Sequence, residues 1–485
     1  MQRGSFIGID FGTTNTSVVQ ILNDEHGYRT VNLGERGDYP FSSVVAIPRS
    51  GGSLKFGRDV KTRREELSSD YEIFTSMKSY LGTDKEFIIG SNRYSATDIT
   101  EQFLKYIKEY IAETKGIEIT AAGLAFPVDF SAEARRELRR AAEKAGIKVN
   151  CFLSESTAAY FANRKEGQAF SKVMVLDWGG GTFDISILAL KKTSVTEAAV
   201  FGERIGGDDI DDVLARRIHA EIVKKSDVNN PMSFEDMSPV SRDLLVARCE
   251  RAKIEISETD EDYDLTVMNY GIYETKTVSV TVDIFNGIVE HVIKSKILKA
   301  VNSALGRANL TPASIDALVI VGGSSNLSKY EEAITSIFKD SKIILPEKPQ
   351  WSTAEGAALM QIIGGNYKLS DSLGVVLSDG EIFKILKREE HGVGSSVDQL
   401  SFSLTEDTQD AHFNFANEEG IMFDRVTVAT KGYLNEIIRL SAQIDDDQIA
   451  RIRLTNSSMG DAEHNEPVDV EINKLTFYYD ISGLE

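Results

Sequence analysis

The chain reads as a two-lobed α/β domain followed by an antiparallel β-sandwich. Three observations predict this. Residues 1–365 alternate β-like apolar runs with helical patterns. After Gly364-Gly365 the pattern changes to short strands of alternating apolar and polar residues. Within the first part, FIGIDFGTTNTSVVQIL is echoed by KVMVLDWGGGTFDISIL, with Asp10 and Asp177 in matching places 167 residues apart. Two similar hairpins imply two similarly built lobes. The length of 485 residues allows roughly three domain-sized units.

In chain order, SAEARRELRRAAEKAG predicts a helix over residues 131–145. Ser131 can cap its first turn, and Gly146 suits the left-handed position that ends it. A second amphipathic helix is predicted over residues 243–256. The polar segment NYKLSDS, residues 366–372, reads as an interdomain linker. Beyond it Leu400, Phe402 and Leu404, then Phe413 and Phe415, then Val468, Val470 and Ile472 alternate as strands do. Asp379-Gly380 between two apolar runs is a hairpin signal. Several such strands in residues 373–485 predict the sandwich.

Charge narrows the function. The chain holds 54 basic and 75 acidic residues, a net of −21, which argues against a general nucleic-acid or anionic-membrane binder. Residues 373–485 carry 9 basic and 22 acidic side chains, a net of −13, so basic or neutral partners suit that part. Only Cys151 and Cys249 occur, so no disulfide framework is expected and a reducing, cytoplasmic setting is favoured. The six histidines are scattered without zinc-ligand spacing. No signal-peptide pattern and no apolar run of about 20 residues is present.

The chemistry sits in the echoed hairpins. Gly12, Thr13, Thr14 and Asn15 make a turn of small residues that can aim N–H groups and hydroxyls at phosphate oxygens. Asp10, before that turn, can hold a hydrated Mg²⁺. In the second hairpin Gly179, Gly180 and Gly181 are followed by Thr182 and Asp184, with Asp177 where Asp10 stands in the first. A plain turn needs fewer glycines, each of which costs a strand ~0.5–1 kcal/mol relative to alanine. A third element, ALVIVGGSSNLSKYEEAI, is a strand, Gly322-Gly323 and a helix, a pattern able to seat a nucleoside. No GxxxxGK[ST] or GxGxxG occurs, which disfavours P-loop, protein-kinase and Rossmann readings.

In this order the motifs resemble those of the 70-kDa heat shock protein chaperone family, in the actin-like ATPase superfamily. IGIDFGTTN resembles its first phosphate loop, LDWGGGTFDIS its second and VIVGGSSNLSK its adenosine motif. LAFPVDFSAEAR, SESTAAYFA, IGGDDIDD and RCERAKIEIS complete the set over residues 1–365, and a weaker likeness continues through SLGVVLSDGEIFKIL and FSLTEDTQDAHFNFANEEG. The resemblance implies an actin-like (ribonuclease H-like) nucleotide-binding domain and a peptide-holding β-sandwich. It implies slow ATP hydrolysis coupled to binding of unfolded polypeptide, with ATP/ADP and Mg²⁺, and K⁺ as a further ion.

The implied site runs as follows along the chain. Gly12 to Asn15 contact the β- and γ-phosphates, and Lys78, in SMKSYLG, reaches the γ-phosphate. Glu155 positions Mg²⁺ and water, with Asp10 and Asp177 as its carboxylate partners. Thr182 orients the γ-phosphate or nucleophile, and Asp184 accepts a proton from, or orients, the attacking water. Pro127 and Arg135 match the family's proline switch and arginine relay. Glu250, Lys253 and Ser257, on one helical face, join Gly322, Gly323, Ser324 and Asn326 around the adenosine.

Departures from the family pattern add expectations. Ile254 and Asn326 stand where the resemblance places two arginines that flank adenine, which predicts weaker ATP affinity or, in compensation, apolar packing by Ile254. The linker has a single leucine, Leu369, and predicts few coupling contacts. Cys151 stands where an arginine used in J-domain docking is expected, which lowers the expected dependence on such a co-chaperone. The sequence ends at SGLE, where the family's helical lid should begin, so a lidless domain with fast peptide release is expected. Polypeptide clients and a nucleotide exchange factor are the implied partners. The alternative is a nucleotide-switched regulatory protein whose β domain docks one dedicated protein.

Overall fold

The computed structural model describes residues 4–24, 27–36, 39–268, 270–364, 367–458 and 466–484. Residues 1–3 of the N-terminal segment, Gly365 and Asn366 at the break, His26 and His464, and Glu485 of SGLE lie outside the described residues.

The sequence echo is a structural equivalence. In lobe I, Gly4–Phe11 pairs antiparallel with Asn15–Asp24 and parallel with Ala121–Phe126. The sheet continues to Lys148–Ser154 on one side and Gly27–Asn32 on the other. In lobe II, Lys172–Trp178 pairs antiparallel with Phe183–Lys191 and parallel with Ala317–Val321. Each hairpin is thus central in its sheet and buried on both faces, which explains its run of apolar residues before the aspartate.

Two short-residue helices fill the space between the sheets. Glu155–Ala162 and Pro349–Met360 are buried along nearly their whole length. Their backbones touch: a Cβ on Gly356 would lie 1.7 Å from the Ala158 carbonyl oxygen. The helix Ala132–Lys144 is capped by the Ser131 hydroxyl and followed by Gly146 at φ +75°, as its sequence requires. The helix Pro239–Thr259 starts earlier than the amphipathic pattern predicts, because Ser238 caps it and Pro239 suits its first turn.

The β-sandwich has two four-stranded antiparallel sheets. One orders Ile382–Leu386, Leu373–Val376, Asp410–Ala416 and Met422–Ala429; the other orders Ser396–Ser403, Ile437–Ile444, Ala450–Asn456 and Val468–Ile472. Phe413, Phe415, Ile438, Leu440, Leu454 and Val470 lie between them. The fold class is the one the sequence predicts. No helix among the described residues is long and apolar enough to cross a membrane.

Part of the expected linker is itself a strand. Within residues 366–372, Tyr367–Leu369 is a strand with Tyr367 and Leu369 buried. It extends the lobe II sheet, and its neighbour there is Phe477–Asp480, which pairs in turn with Ser194–Glu203. Residues 477–480 therefore leave the sandwich and belong to lobe II. The expectation of few linker contacts fails for a physical reason: a three-residue segment has little signal of its own, and its strand exists because a distant strand offers a ladder.

Candidate functional site

The lobes enclose a cavity of about 340 Å³ between the two hairpin turns. Asp10 lies across the ladder from Ser17 in the first hairpin, and Asp177 across from Asp184 in the second. The turns meet closely. A Cβ on Gly180 would lie 2.1 Å from Thr14 Oγ1, so only glycine lets the lobes approach this far. Thr14 also donates its hydroxyl to Asp208 at 3.1 Å.

Nearly all the residues singled out in the sequence line this one cavity. Asp10, Gly12, Thr13, Thr14, Asn15, Lys78, Glu155, Asp177, Gly179, Gly180 and Thr182 form one end. Glu250, Lys253, Ser257, Gly322, Gly323, Ser324 and Asn326 form the other, with Ile254. Gly181 and Asp184 stand behind the wall. Gly181 is packed on Thr13, and Asp184 is buried, accepting the Val128 N–H at 2.6 Å. Ser17, Asp208, Gln350 and Thr353 line the cavity without having been singled out. Asp208 sits in the quoted IGGDDIDD, where an acidic pair opening a helix is a usable signal. Thr353 looks like any helix residue.

The Lys78 end is a basin of carboxylates around one ammonium. Lys78 is buried and contacts Glu155. Burial opposes its charge, but Glu155, Asp10 and Asp184 outweigh that and raise its pKa. Burial, against the pull of Lys78 and with help from Asp177, pushes Asp10 up to about 6. Burial, reinforced by Glu155, pushes Asp177 up to about 7, and burial with its carboxylate neighbours raises Asp184 well above the usual carboxylate range.

The basin fits a divalent cation. Asp10 Oδ1 is buried with no hydrogen-bond partner, and unpaired carboxylate oxygens are what a hard cation takes. Among the described residues no three acidic, His or Cys side chains stand close enough together to hold a metal ion directly. A cation between Asp10, Glu155 and Asp177 would reach them through its own water, as hydrated Mg²⁺ can.

The other end is assembled from three elements. The Ser324 hydroxyl donates to the Gly179 carbonyl at 2.7 Å, tying the adenosine-like motif to the second turn. Lys253 is held by Asp211 at 2.6 Å and the Gly207 carbonyl at 3.0 Å. Lys61 of lobe I pairs with Glu250 of lobe II at 2.7 Å across the mouth. Arg64 with Asp243 and Arg248 with Glu65 cross the same gap.

Two further residues carry the site toward the sandwich. Pro127 immediately precedes Val128, the Asp184 partner, and its carbonyl accepts the Phe130 N–H. Arg135 is buried against the Phe126 ring and donates to the carbonyls of Asp447, Gln448 and Asn473 in the β-sandwich. Cys151 is buried beneath Pro349–Met360, its thiol directed at the Ala357 carbonyl, rather than displayed at a surface.

Comparison with known proteins bears on this arrangement. The chain is 29% identical over 407 residues to the chaperone protein DnaK of Mycoplasma mycoides subsp. mycoides SC, covering 80% of this chain and 65% of that one. It is 28% identical over 423 residues to a chaperone protein HscA homolog of Cupriavidus necator, covering 80% and 64%. The chain thus spans just under two thirds of the length of these relatives. The family model described as Hsp70 protein matches residues 53–382, more than half of the chain, and with the two-lobed fold around one cavity this establishes that the chain belongs to the Hsp70 family.

Proposed function

We propose that the chain is a slow ATP hydrolase of the chaperone type, with nucleotide state coupled to the grip of the β-sandwich on extended polypeptide. The carrying observation is that two aspartate-ended hairpins from separate lobes face one cavity. Turn N–H groups at 12–15 and 179–181 suit the phosphates of ATP. Lys78 would offset charge on the γ-phosphate, and Thr182 would orient it. Asp10, Glu155 and Asp177 would hold Mg²⁺, which when bound neutralises phosphate charge. Asp184, held behind the cavity wall by the Val128 N–H, would orient the attacking water.

Coupling has a physical route. Asp184 holds Val128, Pro127 precedes it, and Arg135 reaches the sandwich carbonyls. On the sandwich, Phe383, Phe402 and Phe413 stack edge to face, and Phe383 is 42% exposed. Phe383, the exposed end of this stack, suits an apolar side chain of an extended segment. Release of ADP must break the ion pairs across the mouth, which gives an exchange factor its task.

Single-turnover hydrolysis tests the reading. Thr182→Ala and Lys78→Ala are each expected to slow it by about 10²–10³-fold; wild-type rates in both would reject it. Suppression of aggregation of an unrelated denatured protein should depend on ATP. Protection absent, with one native protein retained on pull-down, would favour the dedicated-partner alternative.

A further inference from the structure

We infer that the nucleobase end of the cavity accepts purine nucleotides broadly, GTP and ITP nearly as well as ATP, with Ile254 supplying surface and Asn326 supplying a non-committal polar contact. This rests on the proposed reading of the cavity as a nucleotide site.

The end remote from Lys78 is where a base must lie, since the turns hold the phosphates. Its wall there includes Ile254, Ser257, Glu258, Asn326 and Leu327. Ile254 is 44% exposed on the helix Pro239–Thr259, and Glu258 and Asn326 are exposed as well. The nearby cations are already engaged: Lys61 by Glu250, and Lys253 by Asp211. The Ser257 hydroxyl is turned back to the Lys253 carbonyl at 2.6 Å.

Strong discrimination between bases needs a buried polar group that one base satisfies and the other leaves unpaired. Adenine offers an amino donor where guanine offers a carbonyl acceptor. A side-chain amide carries both a donor and an acceptor and can turn over to present either. When it is also exposed, water satisfies it in every case, so a mismatched base costs little. Apolar surface from Ile254 packs on either purine equally well. A pyrimidine covers less of that surface and should bind more weakly.

Calorimetric titration of the full chain with the Mg²⁺ complexes of ATP, GTP, ITP and CTP tests this. The three purine nucleotides are expected within about tenfold of one another, with CTP weakest. Ile254→Ser should weaken ATP and GTP by the same factor. An ATP preference above about 100-fold over GTP, or a loss in Ile254→Ser confined to ATP, would overturn the inference while leaving the cavity a nucleotide site. Uptake of none of the four would overturn both.

Discussion

The β-sandwich is attached to lobe I and to lobe II by different physics. On lobe I, one face of the helix Ala132–Lys144 offers three guanidiniums. Arg135 donates to sandwich carbonyls, Arg139 pairs with Asp447 at 2.5 Å, and Arg136 pairs with Glu471. These bonds are directional and charge-dependent, so a small shift of the helix undoes them. On lobe II, the attachment is a pair of strands in a shared sheet. Tyr367, Leu369, Phe477 and Tyr479 are buried there. Glu197 sits beneath, accepting from the Thr157 hydroxyl at 2.6 Å, the Phe477 N–H at 2.8 Å and the Tyr479 hydroxyl at 3.1 Å. Arg164 holds the Leu484 carbonyl. Undoing this side means exposing core. The attachment to lobe I, made of separate polar bonds, should be the easier of the two to undo.

The largest test strikes the strand side. Tyr479→Ala removes a fully buried ring and should cost about 3–5 kcal/mol in urea unfolding; a loss under about 1 kcal/mol would mean the strand is only laid on the surface. Next comes pH. Burial raises the Glu197 pKa despite its three donors. Its contribution is thus fully present below the unfolded carboxylate value near 4.3, about where free glutamate titrates, and is lost as pH rises through the folded value. Glu197→Gln should flatten that part of the thermal-stability profile; an unchanged slope would remove Glu197 from the account.

On the lobe I side, a double-mutant cycle of Arg139→Ala and Asp447→Ala should give a coupling of about 1–3 kcal/mol, since both side chains are largely buried. The smallest effect belongs to the more exposed Arg136–Glu471 pair, whose coupling should be below about 1 kcal/mol and vanish in high salt. Should that exposed pair rival Arg139–Asp447, the contrast between the two attachments would be lost.

What the sequence made legible follows the range of the forces involved. The hairpins declare themselves because a buried strand, an aspartate and a glycine turn are contiguous, and the phosphate-side residues come with them. Ile254 and Asn326 are equally readable, since an apolar or neutral residue stands where charge is expected. The strand Tyr367–Leu369 is not. Its conformation is set by Phe477–Asp480, more than a hundred residues away, and NYKLSDS contains nothing that names that partner. Thr353 is hidden for the same reason: its hydroxyl meets Asp177 at 3.2 Å only once the helix Pro349–Met360 has packed against the end of the strand Lys172–Trp178.

The order of strands at the lobe II edge also has a consequence for synthesis. Tyr367–Leu369 is separated from Ser194–Glu203 by Phe477–Asp480. A nascent chain emerging from the ribosome can complete the hairpins and the cavity early, yet that edge stays bare until residue 480 has appeared. During the interval, an open ladder waits beside an unanchored sandwich, so translation speed over residues 370–480 sets how long the growing polypeptide is open to edge-to-edge association.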